Sequence, residues 1–174
     1  RFFGSLASAE LPRLMLIVLS WAFGAFLLLA MLLVLRDLLG GLVLPFARRA
    51  GRGILADAKL SVSIGVLAAA LSAGGVLQAV KLPAVKTVDI EVQGLPAAFD
   101  GYRIVQLSDL HASRLLPASW IAAIVAKTDA LHPDLIVITG DLQDGTPAAR
   151  AADVQPLHDL RARDGVLAVP GNHE

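Results

Sequence analysis

Three short clusters in the second half of the chain carry the residue types that metal chemistry uses. Asp109-Leu110-His111 sets a carboxylate and an imidazole two residues apart, Asp141 follows Gly140, and Asn172 stands next to His173 after Pro170-Gly171. A carboxylate, a ring nitrogen, a second carboxylate and an amide oxygen form a mixed oxygen and nitrogen donor set. Such a set suits Mn²⁺, Fe²⁺ or Zn²⁺ and not a thiolate-seeking ion. The spacing lets Asp109 and His111 reach one ion from a single turn. The missing side chain of Gly140 allows close backbone approach, and the Asp141 carboxylate could bridge two ions. Two ions about 3.5–4 Å apart clamp a phosphoryl group and activate a water. Asn172 could ligate the second ion through its carbonyl oxygen, and His173 could give a proton to a leaving oxygen. Each cluster alone is commonplace: Gly-Asp is an ordinary turn, and Asp-x-His after a strand often arises by chance. All three in order, each where a strand ends, are much harder to explain as coincidence.

The elements that would position these clusters are legible around them. Tyr102–Leu107 is a short, partly β-branched run that ends in Ser108-Asp109. Leu135–Thr139 is largely apolar and closes on Gly140-Asp141, and Gly165–Val169 runs into Pro170-Gly171-Asn172-His173. Between them, Pro117–Thr128 has helical spacing, with Trp120, Ile121, Ile124 and Val125 on one side and Pro117 suited to a first turn. Ala148–Arg163 reads as a second helical segment that Pro156 splits or kinks. Strands alternating with helices imply βαβ units and a largely parallel, buried sheet. Ligands of open α/β sheets bind beyond the carboxyl ends of the strands, so the three clusters should share one rim. Upstream, Val88–Val92 alternates as a half-exposed strand does, and Gly94–Ala97 reads as a turn. Trp120 and Tyr102 are expected in the core.

Ser108-Asp-Leu-His111, Thr139-Gly-Asp-Leu142 and Gly171-Asn-His-Glu174 resemble the first three signature blocks of the calcineurin-like metallophosphoesterases. The wider text, residues 101–111 and 133–141, resembles a bacterial membrane-anchored phosphodiesterase branch of that superfamily. The resemblance implies a four-layer α/β/β/α sandwich and two divalent metal ions (Mn, Fe or Zn). It implies that Asp109 and His111 bind the first ion, that Asp141 bridges both, and that Asn172 binds the second. His173 would protonate the leaving group or steady the transition state. The family draws further ligands from downstream histidine blocks, whereas this chain stops at Glu174. Its metal shell and sheet are therefore expected to be incomplete, and the fragment alone inactive. The other histidines, His132 and His158, are expected at the surface or in capping roles. Asp144 recurs in the family's loop, although an Asp-Gly turn accounts for it equally well. Ser113 and Arg114 lie beside the site, either in reach of substrate phosphate or in a solvated loop.

The composition separates this half from the one before it. Apolar residues make up 56 % and charged residues 17 %, with a mean hydropathy of +0.67. Such a chain is too apolar to lie wholly in water. The net charge of zero divides into +6 over residues 1–86 and −6 over 87–174, as two parts in different surroundings would. The acidic half is a poor match for nucleic acid. Cysteine is absent, which excludes disulfides and thiolate sites.

Leu14–Leu35 and Leu60–Val80 are charge-free runs, each long enough as a helix to cover the roughly 30 Å of bilayer hydrocarbon. Leu38–Phe46 extends the first or lies in the interface. The length of the first run and the lack of a strongly charged n-region before it disfavour a cleaved signal peptide; for the second, a buried core helix is the competing reading. Gly65, Ala69, Ala73 and Gly74 would let another helix approach closely. The expected organisation is therefore a membrane anchor over 1–86, with helices at about 14–35 and 60–80, and the front of a phosphoesterase domain over 87–174. Arg36, Arg48, Arg49, Arg52 and Lys59 lie between the runs, against Arg1, Arg13, Lys81 and Lys86 outside them. The positive-inside rule then puts the linker in the cytoplasm and the domain on the extracytoplasmic side of a multi-pass cell-membrane protein. The function expected is metal-dependent hydrolysis of a phosphoester at the membrane surface, with membrane lipid as neighbour and a phospholipid or nucleotide-linked lipid as substrate. The competing reading is a non-catalytic membrane protein that keeps the fold and the metal for binding or assembly; a transporter subunit with an appended soluble domain is a weaker third. A chain that starts at Arg1 and stops at Glu174 is expected to be cut at both ends.

Overall fold

The structure, a computed structural model, describes residues 10–173; Arg1 and Glu174 lie outside the described residues. These fall into two compact units, Leu14–Lys81 on one hand and 10–13 with 82–173 on the other.

The first unit is helical: α1 (Arg13–Val43), α2 (Arg48–Ala56) and α3 (Ala58–Ala79). Both α1 and α3 are long and apolar enough to cross a membrane. At 1.5 Å per residue the 31 residues of α1 span about 46 Å. The helix runs past Leu35 because nothing interrupts it before Pro45, which cannot continue the hydrogen-bond ladder. Arg36, within this extension, is bound by Asp37 at 2.6 Å and donates to Ser61 Oγ at 2.6 Å. Asp57 caps α3 by accepting from the backbone N–H groups of Lys59 and Leu60 at 2.8 and 3.2 Å, satisfying donors that a helix start leaves free.

Trp21 Nε1 donates to the Ala69 carbonyl at 3.0 Å, and Ser72 Oγ donates to the Trp21 carbonyl at 2.8 Å. A Cβ on Gly24 would sit 2.6 Å from Ser72 Oγ, so a side chain there would displace that hydroxyl. Close approach of the two helices thus runs through Gly24, Ala69 and Ser72, whereas Gly65 and Gly74 face open space. The α2 helix folds back on the end of α1: a Cβ on Gly51 would lie within 2.9 Å of Gly40 and Leu44 backbone atoms. Its arginines, Arg48, Arg49 and Arg52, are exposed.

The second unit contains β1 (Ile104–Leu107), α4 (Ala118–Asp129), β2 (Leu135–Ile138), α5 (Pro147–Val154) and β3 (Val166–Ala168). The strands form a parallel sheet in the order β1-β2-β3, with Ile104 opposite Leu135 and Ile136 opposite Val166. Ile121, Ile124 and Val125 of α4 are buried together with Ile136, Ile138, Leu110 and Leu160, and Trp120 packs against that core. The opposite face of the sheet carries Ile104 and Leu167 at 59 % and 61 % exposure. A parallel sheet is ordinarily covered on both faces, so two of the four layers that the family resemblance implies are in place, one helical and one of strand.

Three expectations change. Val88–Val92 forms no strand: its Val88, Ile90 and Val92 side chains are exposed, and alternation yields a strand only where a neighbour supplies the ladder. The second helical segment stops at Val154 and tightens into a 3₁₀ turn over Gln155–Asp159. Pro156 has no N–H to continue the helix, and the residues from Leu160 to Arg163 are not helical. Tyr102 is half-buried and outside the core: its hydroxyl donates to Asp164 Oδ2 at 2.7 Å, and the Arg163 guanidinium lies 5.4 Å above its ring.

Candidate metal centre

The three rim loops do not simply diverge from the sheet. Beyond the last strand residues the ladder continues: Asp109 N–H donates to Gly140 O at 3.2 Å, His111 N–H to Asp141 O at 3.0 Å, and Ala112 N–H to Leu142 O at 2.8 Å. Asp144 N–H then returns to Ala112 O at 3.0 Å. The loops after β1 and β2 are thereby held side by side. The third loop is joined by glycine. A Cβ on Gly140 would come 2.6 Å from Gly171 Cα, and one on Gly171 would run into Asp141. Gly140 also sits at φ +94°, where a side chain is strained.

Asp109, His111 and Asp141 all adopt left-handed backbone conformations, at φ 55°, 43° and 53°. Such a conformation costs a non-glycine residue on the order of 1–3 kcal/mol, and the cost persists only where the surrounding structure over-determines it. Its occurrence at three expected ligands, with His132 as the one further case among the described residues, is what a built site looks like.

The strained turns aim the side chains at one another. His111 Nε2 is 3.9 Å from Asp109 Oδ1 and 3.9 Å from Asp141 Oδ2, and one donor atom from each of the three lies within 4.8 Å of the others. Two donors 2.1 Å from a common ion are about 3.0 Å apart when cis and 4.2 Å when trans, so this set fits one ion with small adjustments. The centre is partly open: the Asp109 side chain is 66 % exposed and that of Asp141 16 %.

Behind it lies Asp144, whose side chain is 8 % exposed. Its Oδ1 accepts from His111 Nδ1 at 3.0 Å and from His173 Nδ1 at 2.7 Å. His111, Asp144 and His173 also form a group of potential ligands; here both Nδ1 atoms lie at direct hydrogen-bond distance from one Asp144 oxygen, while His111 Nε2 faces Asp109 and Asp141. One carboxylate therefore fixes two imidazoles in the tautomer that frees Nε2, as carboxylates behind metal-binding histidines do. The rings meet edge to face at 4.7 Å. His173 N–H donates to Asp141 Oδ1 at 3.1 Å, tying the third loop to the second through side chain as well as glycine. Asn172, between Gly171 and His173, is exposed at the rim.

Residues 102–174 match the sequence profile of the calcineurin-like phosphoesterase family. This segment belongs to that family. Over 172 residues, 95 % of the chain, it is 33 % identical to a transmembrane protein with metallophosphoesterase domain from Bos taurus, of which it covers 39 %. It is 34 % identical to a protein of the same name from Danio rerio over 63 % of the chain and 25 % of that protein. A UDP-2,3-diacylglucosamine pyrophosphatase from Chlamydia muridarum is 35 % identical over 45 % of the chain and 24 % of its own length. The chain thus spans about two-fifths or less of these relatives. They come from animals as well as bacteria, so the likeness is to the superfamily and does not single out a bacterial branch. No solved structure matches the chain.

Within the phosphoesterase segment, the structure also places the neighbours of the site. Ser113 is buried and shapes the turn that follows, its N–H donating to Leu116 O at 3.1 Å. Arg114 is paired through Nε with Glu10 Oε2 at 2.8 Å. His132 and His158 are exposed. Asp144 is the residue that sequence reasoning undervalued. It does begin a turn, for Gly145 follows at φ +111°, but its side chain points inward while its backbone makes that turn. Its place three residues after Asp141 was the available signal.

Proposed function

We propose that the whole protein hydrolyses phosphomonoester or phosphodiester bonds at a membrane surface, using two divalent ions. The observation that carries this reading is the convergence of Asp109 Oδ1, His111 Nε2 and Asp141 Oδ2 on one point, with His111 held from behind by Asp144. Ions bound there would neutralise phosphoryl oxygens and lower the pKa of water. Asp109 and His111 would hold the first ion, Asp141 would serve both, and Asn172 would offer its carbonyl oxygen to the second. His173, with Nδ1 engaged by Asp144, is left with Nε2 for the leaving oxygen. The Asp144 carboxylate steadies the positive charge on that ring as it gives or takes the proton.

Two apolar helices of spanning length, and relatives named as transmembrane proteins, favour a multi-pass anchor. The arginines between the helices favour a cytoplasmic linker and an extracytoplasmic site. An anchored site meets lipid first. A relative named for a UDP-linked diacylglucosamine supports a phospholipid or nucleotide-linked lipid as substrate, and the acidic charge of residues 87–174 speaks against nucleic acid. The test is Asp141→Asn in the whole protein. It should abolish manganese-dependent hydrolysis of an aryl phosphodiester, and undiminished turnover would end the proposal. A wild-type protein that binds manganese but turns over neither aryl esters nor lipid phosphoesters would instead be a binding or assembly protein on the same fold.

A further inference from the structure

Arg150, on α5, is 1 % exposed. A guanidinium cannot shed its charge, so a buried one needs carboxylates around it. One comes from Asp153, whose Oδ2 accepts from Nη1 at 2.7 Å. The other comes from Glu10, which pairs with Nη2. The second oxygen of Glu10 accepts from Arg114 Nε at 2.8 Å, and three residues later Arg13 Nε donates to Leu115 O at 3.0 Å. Residues 10–13 therefore grip two places at once. The turn 113–117 directly continues the loop that carries His111. Helix α5 directly continues the loop that carries Asp141 and Asp144, and Arg150 Nε stands 3.4 Å from where a Cβ on Gly145 would be.

We infer that Glu10–Arg13, the segment leading into the first apolar helix, is a strap that fastens the His111 loop to the Asp144 loop and so holds the metal centre together. Charge explains why the strap must carry a carboxylate. Arg114, Arg150 and Asp153 alone leave one positive charge in excess, beside a fully buried guanidinium; Glu10 neutralises it and joins the two cations. Glu10 is thus a positioning residue, acting through Arg114 and Arg150 on loops it does not touch. Leu14, the next residue after Arg13, opens the apolar run, so the entrance of the chain into its first apolar helix and the fastening of the ligand loops share four residues.

The inference rests on the proposed function only for its consequence, and the test reads it separately. Hydrogen exchange is followed in the whole protein in detergent micelles, comparing wild type with Glu10→Gln, Glu10→Asp and Arg114→Gln. In Glu10→Gln the amides of His111, Ala112 and Asp144, which bond across the two loops, should exchange about tenfold faster, while those of Ile136–Ile138 in the central strand keep their protection. Glu10→Asp should restore most of the difference, and manganese should bind Glu10→Gln several-fold more weakly. Unchanged loop protection would overturn the strap, and so would an equal acceleration in the strand, which signals general loosening. Should Glu10→Gln not fold, Arg114→Gln decides: it leaves the Glu10–Arg150 pair intact, and unaltered exchange at His111 and Ala112 would refute the inference. Failure to hydrolyse any phosphoester would remove the proposed function and leave the exchange result standing.

Discussion

Replacing Asp144 by Asn removes one charge from a nearly buried position and little else. Asn-Gly serves the turn at least as well as Asp-Gly, so a loss cannot be charged to the backbone. In the structure Asp144 Oδ1 accepts from both His111 Nδ1 and His173 Nδ1, at 3.0 and 2.7 Å. Each is a hydrogen bond to a charged group, a class that contributes about 1.5–3 kcal/mol. The 8 % side-chain exposure of Asp144 leaves little water to screen it. If the new amide keeps its oxygen toward the rings, both bonds survive without the charge, and manganese affinity should fall about tenfold, the lower end for residues behind a metal ligand. If the amide turns its NH₂ toward the rings, each imidazole must move its proton to Nε2, the atom His111 presents to Asp109 and Asp141. The loss should then approach about a hundredfold, or roughly 2.7 kcal/mol. Asp144→Ala should lie at or beyond that upper end. Calorimetric titration with manganese measures the affinity directly, and hydrolysis of an aryl phosphodiester should fall by at least the same factor because His173 is released as well. Affinity and turnover within twofold of wild type in both variants would show that Asp144 is only a turn residue and that the two histidines are oriented by something else.

Gly140→Ala should destabilise the sheet-containing unit by about 2–3 kcal/mol, through left-handed strain and collision with Gly171; a urea midpoint equal to wild type would contradict the packing described. Manganese at a hundredfold excess over its Kd should stabilise the protein by about 2.7 kcal/mol in the same urea assay, the gain disappearing with EDTA and in Asp109→Asn. The chain has a single tyrosine, so its ultraviolet titration reads Tyr102 alone. The hydrogen bond to Asp164 raises the Tyr102 pKa above its ordinary 10.0, and Asp164→Asn should bring the midpoint back down. Because the raised pKa favours the protonated form, the contribution of that bond is complete below the ordinary tyrosine value and disappears as pH rises through the folded one. Asp164 behaves in the opposite sense. Arg163 and Tyr102 lower its pKa, so its contribution is complete above the ordinary Asp range and is lost as pH falls through the lowered value. An Asp164→Asn variant whose thermal midpoint tracks wild type at every pH would refute both.

What the sequence disclosed and what it hid divide along a physical line. The parallel sheet and the meeting of Asp109, His111 and Asp141 at one rim follow from information local in the chain: apolar runs of strand length, helical spacing between them, and polar residues where each run stops. Such patterns survive because burial selects them residue by residue. Val88–Val92 has the same local pattern and is not a strand, since pairing depends on a neighbour the pattern does not name. Tyr102 has the composition of a core residue, yet it stays half-buried outside the core, its hydroxyl on Asp164 and its ring under Arg163, 62 and 61 positions away. Asp144 errs in the other direction. Its turn-forming backbone and its inward carboxylate obey separate requirements, and only the first is written in the adjacent Gly145. The role of its carboxylate depends on His111 and His173, 33 and 29 residues away, arriving at the same oxygen. Glu10 belongs to this second kind as well: a lone acid ahead of an apolar run has no visible purpose until Arg114 and Arg150 are brought beside it. The ligands of such a centre are therefore easier to read than the residues that hold them, because a ligand is marked by its own chemistry and a support only by what it touches.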